Sequence, residues 1–345
     1  MLEDRNVRQL LYTGRRTVGL TDAAVATPGP GQVRVDVAYT GICGTDLHIY
    51  HGDMDARVRP PAPIGHEMSG RVAAVGPGTS GWAPGDPVTV MPLQWCGTCP
   101  ACRAGHETIC QNLVFIGIDA PGSMQQSWVV PAGTLIRLPD SLPLRTAALV
   151  EPAAVAVHDV RRAGLTAGDT VVVVGGGPVG LLIAVTARQA GGDVLLVEPN
   201  AYRRSVAAEL GFAVSDPAAS DVTAVVEDWT HGAGARVAFE VSGSAAGVGT
   251  AVDVLAVRGR LCLVAIHPVP RSVSLHRFFW RELTLVGARL YERADFERAV
   301  ELVVDGTVPA DALITHVMPL TEADLAFDTL DAGTGVMKVL IDCQA

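Results

Sequence analysis

The stretch 168–192, GDTVVVVGGGPVGLLIAVTARQAGG, decides the fold. Its four consecutive valines give an apolar strand with no polar alternation, as expected of a strand covered on both faces of a parallel sheet. Glycines then break the strand, and a helix is predicted to open at the proline. Gly175, Gly177 and Gly180 stand in GxGxxG order directly after that strand, with Pro178 and Val179 completing the turn. In this setting Gly175 makes the tight turn and Gly177 leaves room for a pyrophosphate above the helix N-terminus. Gly180 lets the helix lie close on the strand. The alternative reading is a strand-to-helix turn with no ligand.

Outward from this turn, strands are predicted at 194–198, near Ala213, at 236–240 and at 260–265, separated by helices at 201–210 and 245–255 and preceded by one at 153–163. Such alternation is the mark of a doubly wound parallel α/β sheet. Glu198 ends the second strand, where a carboxylate accepts hydrogen bonds from an adenosine ribose and repels a 2′-phosphate. NAD is therefore expected over NADP. Arg203 and Arg204, one turn further on, are the features that argue for a phosphate.

Before residue 150 the text reads differently. Residues 31–40, GQVRVDVAYT, alternate polar and apolar side chains, and shorter patches recur at 69–75, 86–91 and 126–130 between Gly/Pro-rich turns. This is a small barrel-like β fold. After about residue 290, RADFERAVELVVDG predicts an amphipathic helix and VMKVLIDC a closing strand.

Composition limits the function. The 345 residues carry a formal net charge of −10, which argues against gathering nucleic acid or anionic lipid by bulk electrostatics. The opening MLEDRNVRQLLYTGRRTVGL has no uninterrupted apolar core, and the apolar run from Val171 to Val185 is broken by glycines. No targeting or membrane segment is read there, and a cytoplasmic protein is expected. Seven cysteines, an odd number with five between Cys43 and Cys110, favour metal sites over a disulfide framework.

WCGTCPACRAGHETIC, residues 95–110, spaces Cys96, Cys99, Cys102 and Cys110 as C-x2-C-x2-C-x7-C. One loop could wrap a closed tetrahedral site with these thiolates, and composition alone leaves zinc and iron–sulfur both open. A second, dispersed group lies in GICGTDLHIYHG (41–52) and PIGHEMSG (63–70): Cys43, Thr45, Asp46, His48 and His51, then His66 and Glu67. Glu151, in LVEPAAVAVHD, adds a carboxylate at the entry to the nucleotide-binding part. A thiolate, an imidazole and carboxylates can hold a catalytic zinc that keeps a position open for water or substrate.

Taken together, these motifs resemble the zinc-dependent medium-chain dehydrogenases and reductases over essentially the whole chain. The resemblance implies a GroES-like β-rich catalytic domain over 1–152 with a structural zinc lobe at 95–112, a Rossmann NAD-binding domain over 153–289, and a return to the first domain over 290–345. It makes Cys43 and His66 ligands of the catalytic zinc, Glu67 the glutamate that approaches or replaces the metal-bound water, and Asp46 the carboxylate orienting His66. It makes Cys96, Cys99, Cys102 and Cys110 the structural zinc ligands, giving two zinc ions per chain. Glu151 stands where ordinary alcohol dehydrogenases of this family place a cysteine, and looks like the branch acting on polyols, vicinal diols and threonine; it is expected as a further ligand. Gly44 replaces a basic residue that some relatives use on the pyrophosphate. By the same resemblance, Thr45 accepts the substrate proton and passes it through the cofactor ribose to His48, with His51 a competing terminus.

The implied activity is hydride transfer between NAD and a secondary alcohol bearing an adjacent hydroxyl or amine: a vicinal diol, polyol or cyclitol. A threonine or other amino-alcohol dehydrogenase is the nearest alternative, and a nucleotide-binding structural or regulatory protein the non-enzymatic one. The expected partners are a small-molecule alcohol and further copies of the chain, as a tetramer before a dimer. LCLVAIHPVPRSVSL, residues 261–275, is the candidate apolar contact between copies.

Overall fold

A computed structural model describes residues 6–345. The chain forms two units, one comprising the residues up to Glu151 together with Phe296–Ala345, the other Pro152–Asp295. The second crossing thus falls at Asp295/Phe296, later than the expected 289/290. The physical reason is that Asp295 still accepts hydrogen bonds from His158 and Arg161 of the second unit.

The second unit is a six-stranded parallel sheet in the order Ala213–Ser215, Asp193–Val197, Thr170–Val174, Ala235–Glu240, Leu255–Leu263, Thr284–Gly287. Counted along the chain this is 3-2-1-4-5-6, the dinucleotide-binding order, with its reversal between Thr170–Val174 and Ala235–Glu240. Val171, Val172 and Val173 are fully buried, each contributing about 1.5–3 kcal/mol of burial free energy. The fifth strand begins at Leu255, inside the expected helix 245–255, which stops at Asp253. The first helix begins earlier than predicted, at Val150, because a proline is tolerated in the first helical turn and Pro152 does not delay it. Leu261 and Cys262 of the proposed contact stretch lie inside the core, so most of that apolar signal belongs to a buried strand. Ile266, Val269 and Leu275 of the same stretch are exposed, as are Phe279, Trp280 and Leu285 further on.

In the first unit, strand Gln32–Gly41 is central. It pairs antiparallel with Glu67–Val75, with Ser127–Pro131 and with the closing strand Lys338–Asp342. Val33, Val35 and Val37 face the core while Arg34 and Asp36 turn away, as the alternation predicts. Gly41 sits opposite Glu67 on one side and Leu340 on the other. Beyond Gly41 the chain enters helix Gly44–Tyr50, which the sequence reading did not identify. Among the described residues no helix is long and apolar enough to cross a membrane.

Candidate metal centres and dinucleotide turn

The cysteine lobe closes on a point. The sulfurs of Cys96, Cys99, Cys102 and Cys110 all lie within 4.8 Å of one another. Cys99 and Cys102 are separated by 3.5 Å, Cys96 and Cys110 by 3.5 Å, and Cys99 and Cys110 by 3.8 Å. A tetrahedron of about 2.3 Å zinc–sulfur bonds sets its sulfurs about 3.8 Å apart, whereas a disulfide needs about 2.0 Å. The spacing admits one ion and leaves no room for a multi-iron cluster. Backbone amides of Cys96, Cys99, Cys102 and Asn112 donate to these sulfurs at 3.3–3.5 Å. Hydrogen bonds led by those from Thr98 hold the Cys96 thiol down at about 5, while burial, reinforced by the neighbouring thiols, pushes Cys102 up to about 12. Four thiolates this close repel, and a divalent cation is what makes them compatible. His106 donates no ligand to the set.

The dispersed group converges as well. Ligand atoms of Cys43, His66 and Glu67 lie within 4.8 Å of one another. Cys43 is the residue before helix Gly44–Tyr50, and Asp46, in the first helical turn, reaches back to accept its backbone N–H at 2.9 Å. The other oxygen of Asp46 faces Nδ1 of His66 at 3.7 Å. One buried carboxylate therefore fixes the backbone of one ligand and sets its charge beside the ring of the other, where neither Oδ1 of Asp46 nor Nδ1 of His66 has a hydrogen-bond partner. Gly65, at φ +97°, lets the chain turn so that His66 and Glu67 enter together; a side chain there would strike Met124. His66 also packs edge-on against Phe115.

Glu67 is held by a residue the sequence reading passed over. Nζ of Lys338 donates to both carboxylate oxygens of Glu67, at 2.8 and 2.6 Å, and to the carbonyl of Ile42 at 3.2 Å. The register explains the meeting: extending the antiparallel pairing of Leu340 with Gly41 sets Lys338 against Cys43. Gly41, between the two strands, is what allows it, since a Cβ there would overlap an oxygen of Glu67.

Asp46, His66, Glu67, Glu151 and Lys338 are all at most 3% exposed. Burial lowers His66, but the charges of Asp46, Cys43 and Glu151 outweigh it and hold the ring well above its ordinary value. Burial also lowers Lys338, and Glu67, Cys43 and Glu151 reverse that. Three carboxylates and a thiol thus surround one lysine. Buried negative charge in such excess is costly without a counter-ion, and a site made of one thiol, one imidazole and carboxylates suits zinc. Glu151 stands beside the converging trio, in the first turn of helix Val150–Ala163. Thr45 is half-buried, and His48 meets Asp53 at 3.2 Å with its side chain 35% exposed. His51 is engaged elsewhere, by Asp331 at 2.8 Å and Arg16 at 3.4 Å. Tyr50 is buried, its hydroxyl donated to Asp328.

In the second unit, Gly175 adopts φ +108° and Gly177 caps helix Pro178–Gln189, with Val179 in its first turn. A Cβ on Gly180 would overlap the Gly175 carbonyl oxygen. Glu198 follows directly on strand Asp193–Val197, which ends one residue short of the expected 194–198; it is 5% exposed and accepts the amides of Gly176 at 2.6 Å and Asn200 at 2.8 Å. An Arg203 guanidinium nitrogen lies 3.6 Å from where a Gly177 side chain would begin, and its buried Nε has no hydrogen-bond partner. An open glycine turn with a guanidinium near it whose Nε is unpartnered fits an anionic cofactor. Arg204 is turned away, bound to the carbonyls of Glu198 and Pro199 and to Asp216.

Comparisons with known proteins agree with this geometry. Residues 29–140 match the alcohol dehydrogenase GroES-like domain, and residues 178–305 the zinc-binding dehydrogenase domain. The chain is 47% identical over 334 residues to 2-dehydro-3-deoxy-L-galactonate 5-dehydrogenase of Pseudoalteromonas atlantica, covering 97% of this chain and 98% of that one. The chain belongs to the zinc-dependent medium-chain dehydrogenase family. Within that family it is also similar to L-threonine 3-dehydrogenase of Pyrococcus abyssi, at 35% identity over 91% of this chain and 92% of the other. Among solved structures it resembles 2R,3R-butanediol dehydrogenase from Bacillus subtilis, with a TM-score of 0.90 and 30% identity, covering 97% and 99% of the two chains.

As a member of this family, the protein is a zinc-dependent oxidoreductase that moves hydride between NAD and a small alcohol. Lys338 had one signal that could have disclosed it: it is the only lysine in the sequence, where every other basic side chain of this length is arginine.

Proposed function

We propose that this medium-chain dehydrogenase oxidises a secondary hydroxyl flanked by a second hydroxyl on a deoxy sugar acid, of the type named for its Pseudoalteromonas relative, with NAD as acceptor. The observation that carries the reading is the convergence of Cys43, His66 and Glu67, backed by Asp46, Glu151 and Lys338. Cys43 and His66 would hold the catalytic zinc, with Glu67 and Glu151 in reach of it, and Cys96, Cys99, Cys102 and Cys110 the structural one. When bound, zinc supplies the Lewis-acid charge that makes an alcohol acidic, and the nicotinamide supplies the hydride acceptor.

The chain's own residues manage the proton and the orientation. Thr45, one residue before Asp46, offers a hydroxyl that accepts the substrate proton. His48, one turn on and 35% exposed, is the terminus that releases it, held by Asp53 at 3.2 Å where His51 is held more closely, by Asp331 at 2.8 Å. Glu151 offers a carboxylate to the neighbouring hydroxyl. Glu198, by its charge, favours NAD, and Gly175, Gly177, Pro178, Val179, Gly180 and Arg203 take the pyrophosphate side.

An amino alcohol is the second reading, supported by the Pyrococcus relative and by Glu151, which suits an ammonium as well as a hydroxyl. The test is reduction of NAD, followed by absorbance, with 2-dehydro-3-deoxy-L-galactonate, vicinal diols, sugar alcohols and L-threonine. Turnover concentrated on the sugar acid is expected. Turnover of threonine alone would transfer the assignment, and none with any of them, at full zinc content, would overturn it.

The same reading makes the protein a cytoplasmic homo-oligomer. Its seven free cysteines suit a reducing compartment. The open edge strand Thr284–Gly287, with Leu285 50% exposed and Phe279 and Trp280 of the preceding helix exposed as well, offers a self-pairing surface. A tetramer by light scattering is expected, reduced to smaller species by Leu285→Lys.

A further inference from the structure

At the carboxyl ends of the second unit's strands lies a closed ring of hydrogen bonds that the proposed chemistry does not use. Glu240, fully buried at the end of its strand, accepts three bonds on one oxygen, from the amides of Ser242 and Gly243 at 3.0 Å each and the Ser242 hydroxyl at 2.6 Å. Its other oxygen meets Nε2 of His267 at 2.9 Å. Nε of Arg271 donates to Nδ1 of His267 at 3.4 Å, and another guanidinium nitrogen donates to the carbonyl of Gly243 at 3.2 Å. Glu240, Gly243, Arg271 and His267 thereby close on one another. Because Nδ1 is the acceptor, His267 is the neutral tautomer with its proton on Nε2.

The ring joins two loops. One is the turn after Ala235–Glu240, which backs onto the glycine turn: the Val241 amide donates to the Val174 carbonyl at 2.9 Å, and a side chain on Gly175 would begin 2.9 Å from the Ser242 nitrogen. The other is the segment 264–274, which leaves strand Leu255–Leu263 and carries Pro268 and Pro270. The first stands beside the point where strand order reverses, where a sheet of this kind receives a dinucleotide, and the ring ties the second, one strand further along, to it.

We propose that the Glu240–His267–Arg271 ring positions these two loops as a wall of the cofactor crevice, and that His267 is a positioning residue for NAD binding. This rests on the dinucleotide-binding reading of the second unit. A buried carboxylate accepting from a ring N–H fixes the imidazole, the imidazole fixes the guanidinium, and the guanidinium holds the turn that shapes the space next to Gly175. A hydrogen bond to a charged group is strong enough that opening the ring weakens NADH binding by about tenfold.

The test is NADH binding to the zinc-loaded protein, followed by quenching of protein fluorescence, beside thermal melting and steady-state kinetics. His267→Ala opens the ring. His267→Gln keeps an N–H donor for Glu240 and an acceptor for Arg271, and Arg271→Met removes the far link. The expected result is a dissociation constant about tenfold higher in His267→Ala and Arg271→Met, near wild type in His267→Gln, with KM for NAD rising while kcat changes little. Binding in a folded His267→Ala as tight as in wild type overturns the inference. Should His267→Ala not fold, a wild-type-like constant in Arg271→Met does the same. Failure of the wild-type protein to bind NADH would instead overturn the dinucleotide reading itself.

Discussion

Lys338 and Glu67 form a two-oxygen ion pair inside the first unit, at 2.8 and 2.6 Å, with neither side chain more than 3% exposed. Removing one member of such a pair leaves the other charge buried and uncompensated, at a cost of about 3–5 kcal/mol. Lys338→Met is expected to lower stability on that scale, read by denaturant unfolding. Adding Glu67→Gln should recover most of the loss, and a double variant no better than Lys338→Met would show that the pair is not what the lysine serves.

The two metal sites are expected to separate under mutation. Cys43→Ala should drop zinc content from two ions per chain to one and abolish turnover, leaving the melting temperature little changed. Cys99→Ser should lose the other ion and destabilise the chain, because the lobe 95–112 is held by its sulfurs. Metal analysis beside thermal denaturation distinguishes them; full activity in zinc-depleted Cys43→Ala would remove the catalytic assignment.

Asp159 gives a pH prediction. It is fully buried, neither carboxylate oxygen has a hydrogen-bond partner, and burial, then the charge of Asp295, holds its carboxyl well above the usual range. A raised acid binds its proton more tightly when folded. Its contribution is complete below the unfolded value of about 3.9 and is lost as pH rises towards the folded value, at up to about 1.4 kcal/mol per pH unit. Asp159→Asn should therefore gain on wild type between about pH 4 and 7. Parallel urea curves at the two ends of that range measure it, and an unchanged difference would mean that Asp159 finds a partner in solution.

Cofactor choice should pivot on Glu198. With Glu198→Ser the charge that repels a 2′-phosphate is gone, and the partnerless Nε of Arg203 remains near the glycine turn. The ratio of kcat/KM for NADP over NAD is expected to rise at least about tenfold, roughly 1.4 kcal/mol of discrimination. A ratio that stays put would place the selection elsewhere.

The sequence disclosed what is local. The valine run with its glycine turn, and the four cysteines within one loop, each carry their chemistry inside a short window, and both lie where they were read. Lys338 could not be found that way, because it reaches Glu67 through strand register across 271 positions. Helix Gly44–Tyr50 is too short to show a helical period, and strand Thr284–Gly287 is exposed enough to lack an apolar signature. The stretch 261–275 divides for the converse reason: apolar residues of a buried strand, such as Leu261 and Cys262, and of an exposed surface, such as Ile266, Val269 and Leu275, read alike.

The solitary lysine has a practical corollary. On the folded chain an amine-directed reagent has no accessible ε-amino group to modify, since the only one is shielded with Glu67. Each side chain that does acquire such a label reports one molecule whose closing strand has come away, so the protein carries its own chemical counter of opening events.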